Sequence, residues 1–331
     1  MDFTKQQLIS SIFDPNLRNF DELCLQIFRY QYQFNEVYRK YCQFIAVNDP
    51  HEIQHISQIP FLPITFFKSH TVLSTHEPAQ IVFSSSATGG MGQSKHLVSD
   101  LSLYHQSSQI AFEQNFGMLK DYCFLALLPS YLEREGSSLI YMVQQFMNAS
   151  KHPLNGFFLY EYETLKNRIE QLERMNQNYV VFGVSFALLD FAEQAGTAIK
   201  TGKVIETGGM KGRKKELTKM EVYSFLKQAL QTESIYSEYG MTELLSQVYS
   251  DTQGNYRCNP WMRVLISDPN DPFHYLGHQK TGLINMIDLA NINSCCFIQT
   301  SDLGRTYANG TFEVLGRLDH SDLRGCSLLI A

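Results

Sequence analysis

A run of hydroxyl-bearing residues and glycines, followed by a lysine, is the first stretch of the chain with the composition of a binding site. Its members are Ser84, Ser85, Ser86, Thr88, Gly89, Gly90 and Lys95. A loop of this kind after a β-strand can surround phosphate oxygens with backbone N–H groups while the lysine neutralises their charge. The spacing differs from the Walker pattern. We therefore predict a phosphate-binding loop, with an ordinary Ser/Gly-rich surface loop as the alternative.

A second set of candidate residues follows strand-like runs nearer the C-terminus. It consists of Tyr239, Gly240, Met241, Thr242 and Glu243, and of Asp302 and Arg317. An aromatic ring suits a nucleotide base, a hydroxyl group suits a phosphate, and a carboxylate suits Mg²⁺, which binds one or two carboxylates together with phosphates. The structural alternatives are a strand-end turn leading into a helix N-terminus at 239–243, and two β-turns at 302–304 and 309–310.

In this order along the chain, the phosphate loop and residues 239–243, 301–305 and 316–325 resemble the nucleotide-binding motifs of the adenylate-forming enzymes, the ANL superfamily. Those enzymes activate a carboxylic acid with ATP as an acyl-AMP. The chain is most similar to their acyl-protein synthetase (LuxE-like) and phenylacetate-CoA ligase branch, since residues 61–68 and Gly325-Cys326 also fit it. The resemblance covers most of the chain.

The resemblance implies a role for each matched residue. The backbone at Gly208 and Gly209 would face the adenine, and Tyr239 would stack on the ring. Asp302 would accept the ribose hydroxyls, and Glu243 would bind Mg²⁺. The residues implied in catalysis are Thr242 at the α-phosphate, Lys95 and Arg317 at the phosphate charges, and Cys326 as the acyl acceptor.

Two interpretations of Cys326 stay open. A thiolate is a good acyl acceptor, and Arg324 two residues away would favour the charged form. Residues 326–330 also have the composition of an apolar strand, in which a cysteine is simply a small buried side chain. Cys295 and Cys296 lie in a β-like run and are predicted to be core residues.

The chain departs from the family pattern at several positions. Relatives usually carry Gly and then Ser or Thr where this chain has Ser86 and Ala87, and a glycine where it has Ser301. Longer relatives continue into a mobile lid with a catalytic lysine, whereas no lysine follows Lys280 here. This favours the short acyl-protein-synthetase type. The alternatives are a catalytically weak nucleotide-binding subunit of a multi-enzyme acyl pathway, or a CoA ligase that needs a separate lid.

The predicted activity is therefore ATP-dependent activation of a carboxylic acid, followed by acyl transfer to a thiol. The acid is expected to be fatty or otherwise apolar, and the cofactors are ATP and Mg²⁺, with CoA as one candidate acceptor. An acyl carrier protein or a reductase is the expected protein partner. A net charge of −6 argues against a nucleic-acid-binding protein, which needs a concentrated basic field.

Composition describes an ordinary globular protein. Of the 331 residues, 44% are apolar and 18% are charged, which makes disorder unlikely and allows a large domain with an appended subdomain. No signal-like or membrane-spanning apolar run is visible, so a cytoplasmic location is expected. The seven cysteines show neither disulfide-type nor zinc-type spacing and fit reduced thiols.

The pattern along the chain predicts an α/β fold with the architecture of an adenylate-forming N-terminal domain. Amphipathic helices are expected within residues 1–79, packed on the core. In the core, 80–254, strand-like runs at 81–83, 123–128, 157–160, 179–184, 204–205 and 234–237 alternate with helical stretches at 99–116, 136–147, 161–175 and 214–230. Such alternation implies a mostly parallel sheet with flanking helices. Residues 255–331 are predicted to form a small β-rich subdomain ending at the hinge motif.

Two further predictions concern the surroundings of the site. Residues 127–136 and 184–191 follow strand ends and are candidates for an acyl pocket, although Phe186, Leu189 and Phe191 also have the spacing of a helix packed on a core. His96 and His105 show no metal-ligand spacing and are expected to be surface or capping residues.

Overall fold

A computed structural model of the protein describes residues 4–14, 19–85, 92–128, 135–208 and 217–318. The described residues form two compact units. The terminal unit comprises those up to Pro78 together with those from Cys258 onward, and the central unit comprises those from Ala79 to Arg257. The three-part division expected from the sequence (1–79, 80–254 and 255–331) stays a prediction.

The helices of the described chain account for the N-terminal region and for most of the segments between strands. They are α1 (Lys5–Ile12), α2 (Phe20–Phe34), α3 (Glu36–Phe44), α4 (Phe66–Ser69), α5 (Leu101–Phe116), α6 (Ser138–Ser150), α7 (Tyr162–Arg174), α8 (Ser185–Ala195) and α9 (Lys219–Leu230). Short 3₁₀ turns cover Pro50–Glu52, Ile56–Gln58, Leu119–Asp121 and Leu289–Asn291.

The strands are short in the central unit and longer toward the C-terminus. They are β1 (Leu62–Pro63), β2 (Ile81–Ser84), β3 (Lys95–Val98), β4 (Cys123–Leu127), β5 (Gly156–Phe157), β6 (Tyr179–Val184), β7 (Lys203–Thr207), β8 (Ile235–Tyr239), β9 (Val248–Tyr249), β10 (Tyr256–Arg257), β11 (Met262–Asp268), β12 (Asp271–Tyr275), β13 (Gly282–Asp288), β14 (Phe297–Thr306) and β15 (Thr311–Arg317).

The central unit is built on a sheet with the strand order β5-β4-β6-β7-β8-β9. The strands from β5 to β8 run parallel, and β9 returns antiparallel to β8. Every residue of β4 is buried, as expected of a parallel strand covered on both faces. The predicted α/β class, with a mostly parallel sheet and flanking helices, is confirmed.

Alternate residues of β4 serve the two faces of this sheet. Cys123, Leu125 and Leu127 belong to a core cluster with the apolar sides of α7, α8 and α9, whereas Phe124 packs against Phe146 of α6 at 5.6 Å between ring centroids. Leu189 and Phe191 of α8 lie within the first cluster. For these two side chains, the helix-packing interpretation is correct and the acyl-pocket interpretation is wrong.

The predicted strand at 81–83 exists, but it does not enter the parallel sheet. β2 instead pairs antiparallel with β3 in a separate hairpin, with Phe83 opposite His96 and Ser84 opposite Lys95. A short continuous apolar run such as residues 81–83 occurs in both arrangements, so the sequence pattern alone did not distinguish them.

The terminal unit combines the N-terminal helices with an antiparallel sheet. Its strands are ordered β15-β14-β13-β11-β12, and the short β1 lies parallel to β14. The rings of Phe28, Tyr38 and Phe61 each lie within 6.2 Å of the Phe297 ring, which joins α2, α3 and the segment before β1 to β14. The predicted β-rich region after residue 255 is confirmed. Across the described ranges, no helix has the length and apolar character needed to cross a bilayer.

Candidate active site

Three neighbouring strands of the central sheet end at the same edge. Val184 of β6 lies opposite Thr207 of β7, and Thr207 lies opposite Glu238 of β8. In an open parallel sheet, ligands bind outside the carboxyl ends of the strands. Gly208 and Tyr239, which the sequence predicted to contact adenine, therefore lie on adjacent strands at that edge.

A buried carboxylate, Glu206, holds these strand ends together. Its Oε2 accepts a hydrogen bond from the Ser185 hydroxyl at 2.6 Å, and its Oε1 accepts one from the Ser237 hydroxyl. The Ser185 hydroxyl also lies 2.6 Å from the carbonyl oxygen of Gly208. The sequence analysis gave roles to Gly208 and Gly209 and none to Glu206, although a glutamate in an otherwise apolar strand was a usable signal.

The same network continues behind β8. The Ser237 hydroxyl lies 2.7 Å from the Tyr223 hydroxyl, which in turn lies 2.9 Å from the Ser250 hydroxyl. The Ser250 hydroxyl also accepts the Ser237 backbone N–H at 2.8 Å. These bonds join α9, β8 and the residue after β9, so the backbone that leads into Tyr239 is fixed on two sides.

Glu238 is a second buried acid at this edge. Its Oε2 accepts a hydrogen bond from the Thr207 hydroxyl. Burial raises the pKa of Glu238 to about 7, and the nearby Glu206 carboxylate acts in the same direction. A Cβ placed on Gly240 would lie 2.5 Å from the Oε1 of Glu238, so only glycine fits next to this acid.

Tyr239 and Gly208 carry the two groups expected to hold the adenine, an aromatic ring and an exposed stretch of backbone. The ring is half-buried and lies 5.9 Å from the Tyr256 ring, over which the Lys219 ammonium group sits at 4.2 Å. Gly208 is exposed, has a φ of +70°, and would place a Cβ in open space. An aromatic ring beside an open backbone edge fits the predicted adenine site.

The segment after β8 is an irregular loop, residues 240–247, rather than a helix. The loop begins with a turn, in which the Leu244 N–H donates to the Met241 carbonyl at 3.2 Å. The helix N-terminus offered as the structural alternative for Thr242 and Glu243 is therefore wrong. The Thr242 side chain is half-buried and the Glu243 side chain is buried.

His96 makes a contact with this loop that sequence analysis missed. Its Nδ1 lies 2.8 Å from the carbonyl oxygen of Thr242, and the side chain is only 1% exposed. The prediction of a surface or capping residue is wrong for His96. His105 is half-buried and hydrogen-bonded to the Tyr141 hydroxyl at 2.9 Å, and its burial lowers the pKa of the imidazole.

The described ends of the predicted phosphate loop continue the β2–β3 hairpin. The Ser85 N–H donates to the Ser94 carbonyl at 3.1 Å, and the Ser94 N–H donates to the Ser85 hydroxyl at 2.9 Å. The Ser84 N–H donates to the Gly136 carbonyl at 2.7 Å, and Lys95 is exposed. Four members of the predicted loop lie outside the described residues: Ser86, Thr88, Gly89 and Gly90. Gly209 of the predicted adenine motif also lies outside them.

Asp302 and Arg317 belong to the terminal unit, where they are partners across β14 and β15. The Arg317 Nε lies 3.9 Å from a carboxylate oxygen of Asp302. Residues 302–304 lie within β14, so the turn interpretation is wrong there. At residues 309–310 the turn interpretation is correct, since Gly310 has a φ of +80° and its N–H donates to the Tyr307 carbonyl. The participation of Asp302 and Arg317 in nucleotide binding stays a prediction.

Comparison with known proteins bears on these placements. The profile of the family described as Acyl-protein synthetase, LuxE matches residues 11–130. The long-chain-fatty-acid–luciferin-component ligase of Vibrio harveyi is 23% identical over 326 residues, which cover 91% of this chain and 84% of that protein. Its counterpart from Aliivibrio fischeri is 22% identical over 342 residues, with 94% and 87% covered. The chain is therefore similar to the acyl-protein synthetases named LuxE.

Solved structures confirm the fold of the chain. It matches 2-hydroxyisobutyryl-CoA ligase in complex with 2-HIB-AMP and CoA with a TM-score of 0.66 and 13% identity, over 93% of this chain and 70% of that one. It matches ATP-bound MatB from Rhodopseudomonas palustris with a TM-score of 0.54 and 14% identity, over 71% of this chain and 47% of MatB. The chain thus spans about half the length of MatB. The adenylate-forming architecture predicted from the sequence is confirmed.

The thiols of the described residues are buried or half-buried. The described cysteines are all free, and burial raises the pKa of each of them; the value is about 12 for Cys123, Cys258 and Cys295. Cys326 lies outside the described residues. In the part of the chain that is described, no three His, Cys, Asp or Glu side chains are grouped as metal ligands. Magnesium binding through Glu243 together with ATP phosphates stays a prediction.

Proposed function

We propose that the chain uses ATP to activate a long-chain fatty acid as an acyl-adenylate and then passes the acyl group to a thiol. The observation that supports this best is the similarity over 91% of the chain to a protein named long-chain-fatty-acid–luciferin-component ligase. The fold and the polar edge of the central sheet agree with this activity.

In the first step, a carboxylate oxygen of the acid attacks the α-phosphorus of ATP, and the bond to the β-phosphate breaks with release of pyrophosphate. Tyr239 and the open backbone at Gly208 would hold the adenine, and Thr242 would contact the α-phosphate. Glu243 is proposed to bind Mg²⁺, which would offset charge on the phosphates. Lys95, Arg317 and Asp302 are proposed to complete the nucleotide contacts.

In the second step, a thiolate attacks the acyl carbonyl, AMP leaves, and the thiol proton passes to solvent. The described cysteines are poor candidates because burial disfavours the thiolate in each of them. We assign the acceptor role to Cys326, with transfer onward to a carrier protein, a reductase or CoA. The free cysteines suit a reducing compartment, so we also propose a cytoplasmic location.

The test is pyrophosphate release from ATP with a series of fatty acids, combined with the intact mass of the protein. Wild type is expected to release pyrophosphate and to gain an acyl mass that hydroxylamine removes. Cys326→Ser should keep pyrophosphate release and lose the acyl mass. The matched control is Cys258→Ser, because this half-buried cysteine should leave both signals unchanged. An acyl mass that survives in Cys326→Ser would contradict the assignment of the acceptor.

A second candidate is a nucleotide-binding subunit with weak or no catalysis. It is favoured by Ser86, Ala87 and Ser301, which replace residues that the family usually carries. It predicts ATP binding without acid-dependent pyrophosphate release, even when a partner protein is added.

A further inference from the structure

The loop at residues 240–247 must satisfy its backbone polar groups without a helix or a strand. Its second half is deeply buried, with Leu244, Leu245, Ser246 and Gln247 each at most 5% exposed. A buried carbonyl that finds no partner costs free energy comparable to a lost hydrogen bond. Side chains from two other elements therefore have a structural reason to reach this loop.

Two such side chains are found. Nδ1 of His96, from β3, lies 2.8 Å from the Thr242 carbonyl, and the Ser107 hydroxyl, from α5, donates to the Leu245 carbonyl at 2.8 Å. Both anchors are buried. They differ in what they hold, because Thr242 carries a side chain of the proposed site whereas Leu245 is an apolar core residue.

The contact between His96 and the Thr242 carbonyl fixes the position of one hydrogen on the imidazole ring. A carbonyl oxygen can only accept, so the hydrogen must be on Nδ1 of His96. Both the Nδ1–H neutral tautomer and the doubly protonated ring provide that donor. On β3, the side chains of His96 and Val98 face the interior, whereas Lys95, the first residue of the strand, faces solvent.

We propose that His96 is a positioning residue that fixes Thr242 and Glu243 relative to the β2–β3 hairpin. The hairpin leads into the predicted phosphate loop on one side and carries Lys95 on the other, so the hydrogen bond between His96 and Thr242 connects two sets of residues proposed to bind phosphate. His96 acts through the backbone of Thr242 and does not itself touch the nucleotide. The inference rests on the proposed function, because the effect of His96 on catalysis is measured as ATP-dependent release of pyrophosphate.

The test compares three variants of the full-length chain. His96→Asn keeps an amide donor near the Nδ1 position, His96→Gln moves the donor toward the Nε2 position, and Ser107→Ala removes the other anchor of the same loop. Readouts are the ATP dependence of pyrophosphate release, amide hydrogen exchange of residues 240–247 without nucleotide, and thermal unfolding.

Misplacement of reacting groups by about 1 Å can cost on the order of a hundredfold in rate. For His96→Gln we expect kcat/KM for ATP to fall by about ten- to a hundredfold, with faster exchange at residues 240–247. His96→Asn should return both readouts to within about threefold of wild type. Ser107→Ala should lower the unfolding temperature while the KM for ATP stays within about twofold of wild type.

Two results would overturn the inference. One is a His96→Gln variant with wild-type kcat/KM and exchange; the other is a His96→Asn variant as impaired as His96→Gln, which would make His96 a packing residue. If wild type itself releases no pyrophosphate, the proposed function fails separately. The exchange data then decide about His96, since unchanged exchange in His96→Gln contradicts the anchor and faster exchange restored by His96→Asn supports it.

Discussion

Two buried polar clusters, one in each unit, are built from different chemistry. In the terminal unit, Gln31 offers its Nε2 to the carbonyl oxygens of Asn291, Ile292 and Ser294 at 2.9–3.2 Å, and its Oε1 accepts the Cys296 N–H at 2.9 Å. A neutral amide is here paired with four backbone groups. We call this the Gln31 cluster.

The second cluster, at the carboxyl ends of β7 and β8, consists of Glu206, Glu238, Ser185, Thr207 and Ser237. We call it the acid cluster. Its bonds run mainly between side chains, and it contains two acids within the protein interior. Burying an ionised acid costs more free energy than burying a neutral amide. The Gln31 cluster is therefore expected to serve folding, whereas the acid cluster lies at the strand ends where the active site is proposed.

The largest expected effect would separate function from stability at the loop beside the acid cluster. Glu243→Gln keeps the shape of the side chain and removes a charge proposed to bind Mg²⁺. We expect pyrophosphate release to fall by at least about a hundredfold, with little change in the urea midpoint. Glu170→Gln, on the exposed side of α7, is the control. Loss of folding in parallel with activity would assign Glu243 to structure.

The next effect concerns the Gln31 cluster. Gln31→Leu fills the space but removes the amide from the buried Ile292 carbonyl and the Cys296 N–H, so we expect the free energy of unfolding to fall by about 3 kcal/mol. Urea denaturation measures it, with Gln33→Leu on the exposed face of α2 as the control. Pyrophosphate release per folded molecule should be unchanged; a specific loss of activity would mean that the two clusters are not functionally distinct.

A pH experiment can test the cost of the buried acid. The pKa of Glu238 is raised to about 7 in the folded protein, so the folded state binds more protons than the unfolded state between the ordinary carboxyl range and pH 7. Its contribution to stability is therefore present at low pH and is lost as the pH rises through 7. Glu238→Gln should gain about 2 kcal/mol relative to wild type at pH 8 compared with pH 5.

The measurement is the urea midpoint of wild type and Glu238→Gln at both pH values. Glu233→Gln is the control because Glu233 precedes the same strand and its side chain is 88% exposed. A difference between wild type and Glu238→Gln that does not change with pH would mean that Glu238 does not titrate in this range.

The smallest expected effect lies in the terminal unit. Asp302→Asn should raise the KM for ATP by about tenfold, equivalent to about 1.4 kcal/mol, because a carboxylate accepts ribose hydroxyls better than an amide does. Its Arg317 partner is exposed and 3.9 Å away, so stability should hardly change. ATP titration of pyrophosphate release is the measurement, with Asp271→Asn as the exposed control. An unchanged KM would confine nucleotide contacts to the central unit.

The parallel strands were predictable because each is an apolar run between helical patterns. β6 was predicted with its observed ends, and β4, β7 and β8 within a few residues. The hairpin of β2 and β3 was not, since pairing partners are not encoded in the periodicity of a single strand. Gly208 and Tyr239 could be assigned to one site because both follow predicted strands in the order of the matched motifs. The contacts of His96 and Glu206 were missed because they join residues that are far apart in the sequence.

The short return from β8 to β9 has a consequence for tolerance to insertions. Residues 240–247 join two paired strands directly, and both Val248 and Tyr249 are buried. One residue added in this loop that shifted the pairing of β9 would exchange the faces of those two side chains. The turn at 308–310 between β14 and β15 is exposed, so a residue added at its tip that left the pairing of those two strands unchanged would alter only solvent-facing backbone.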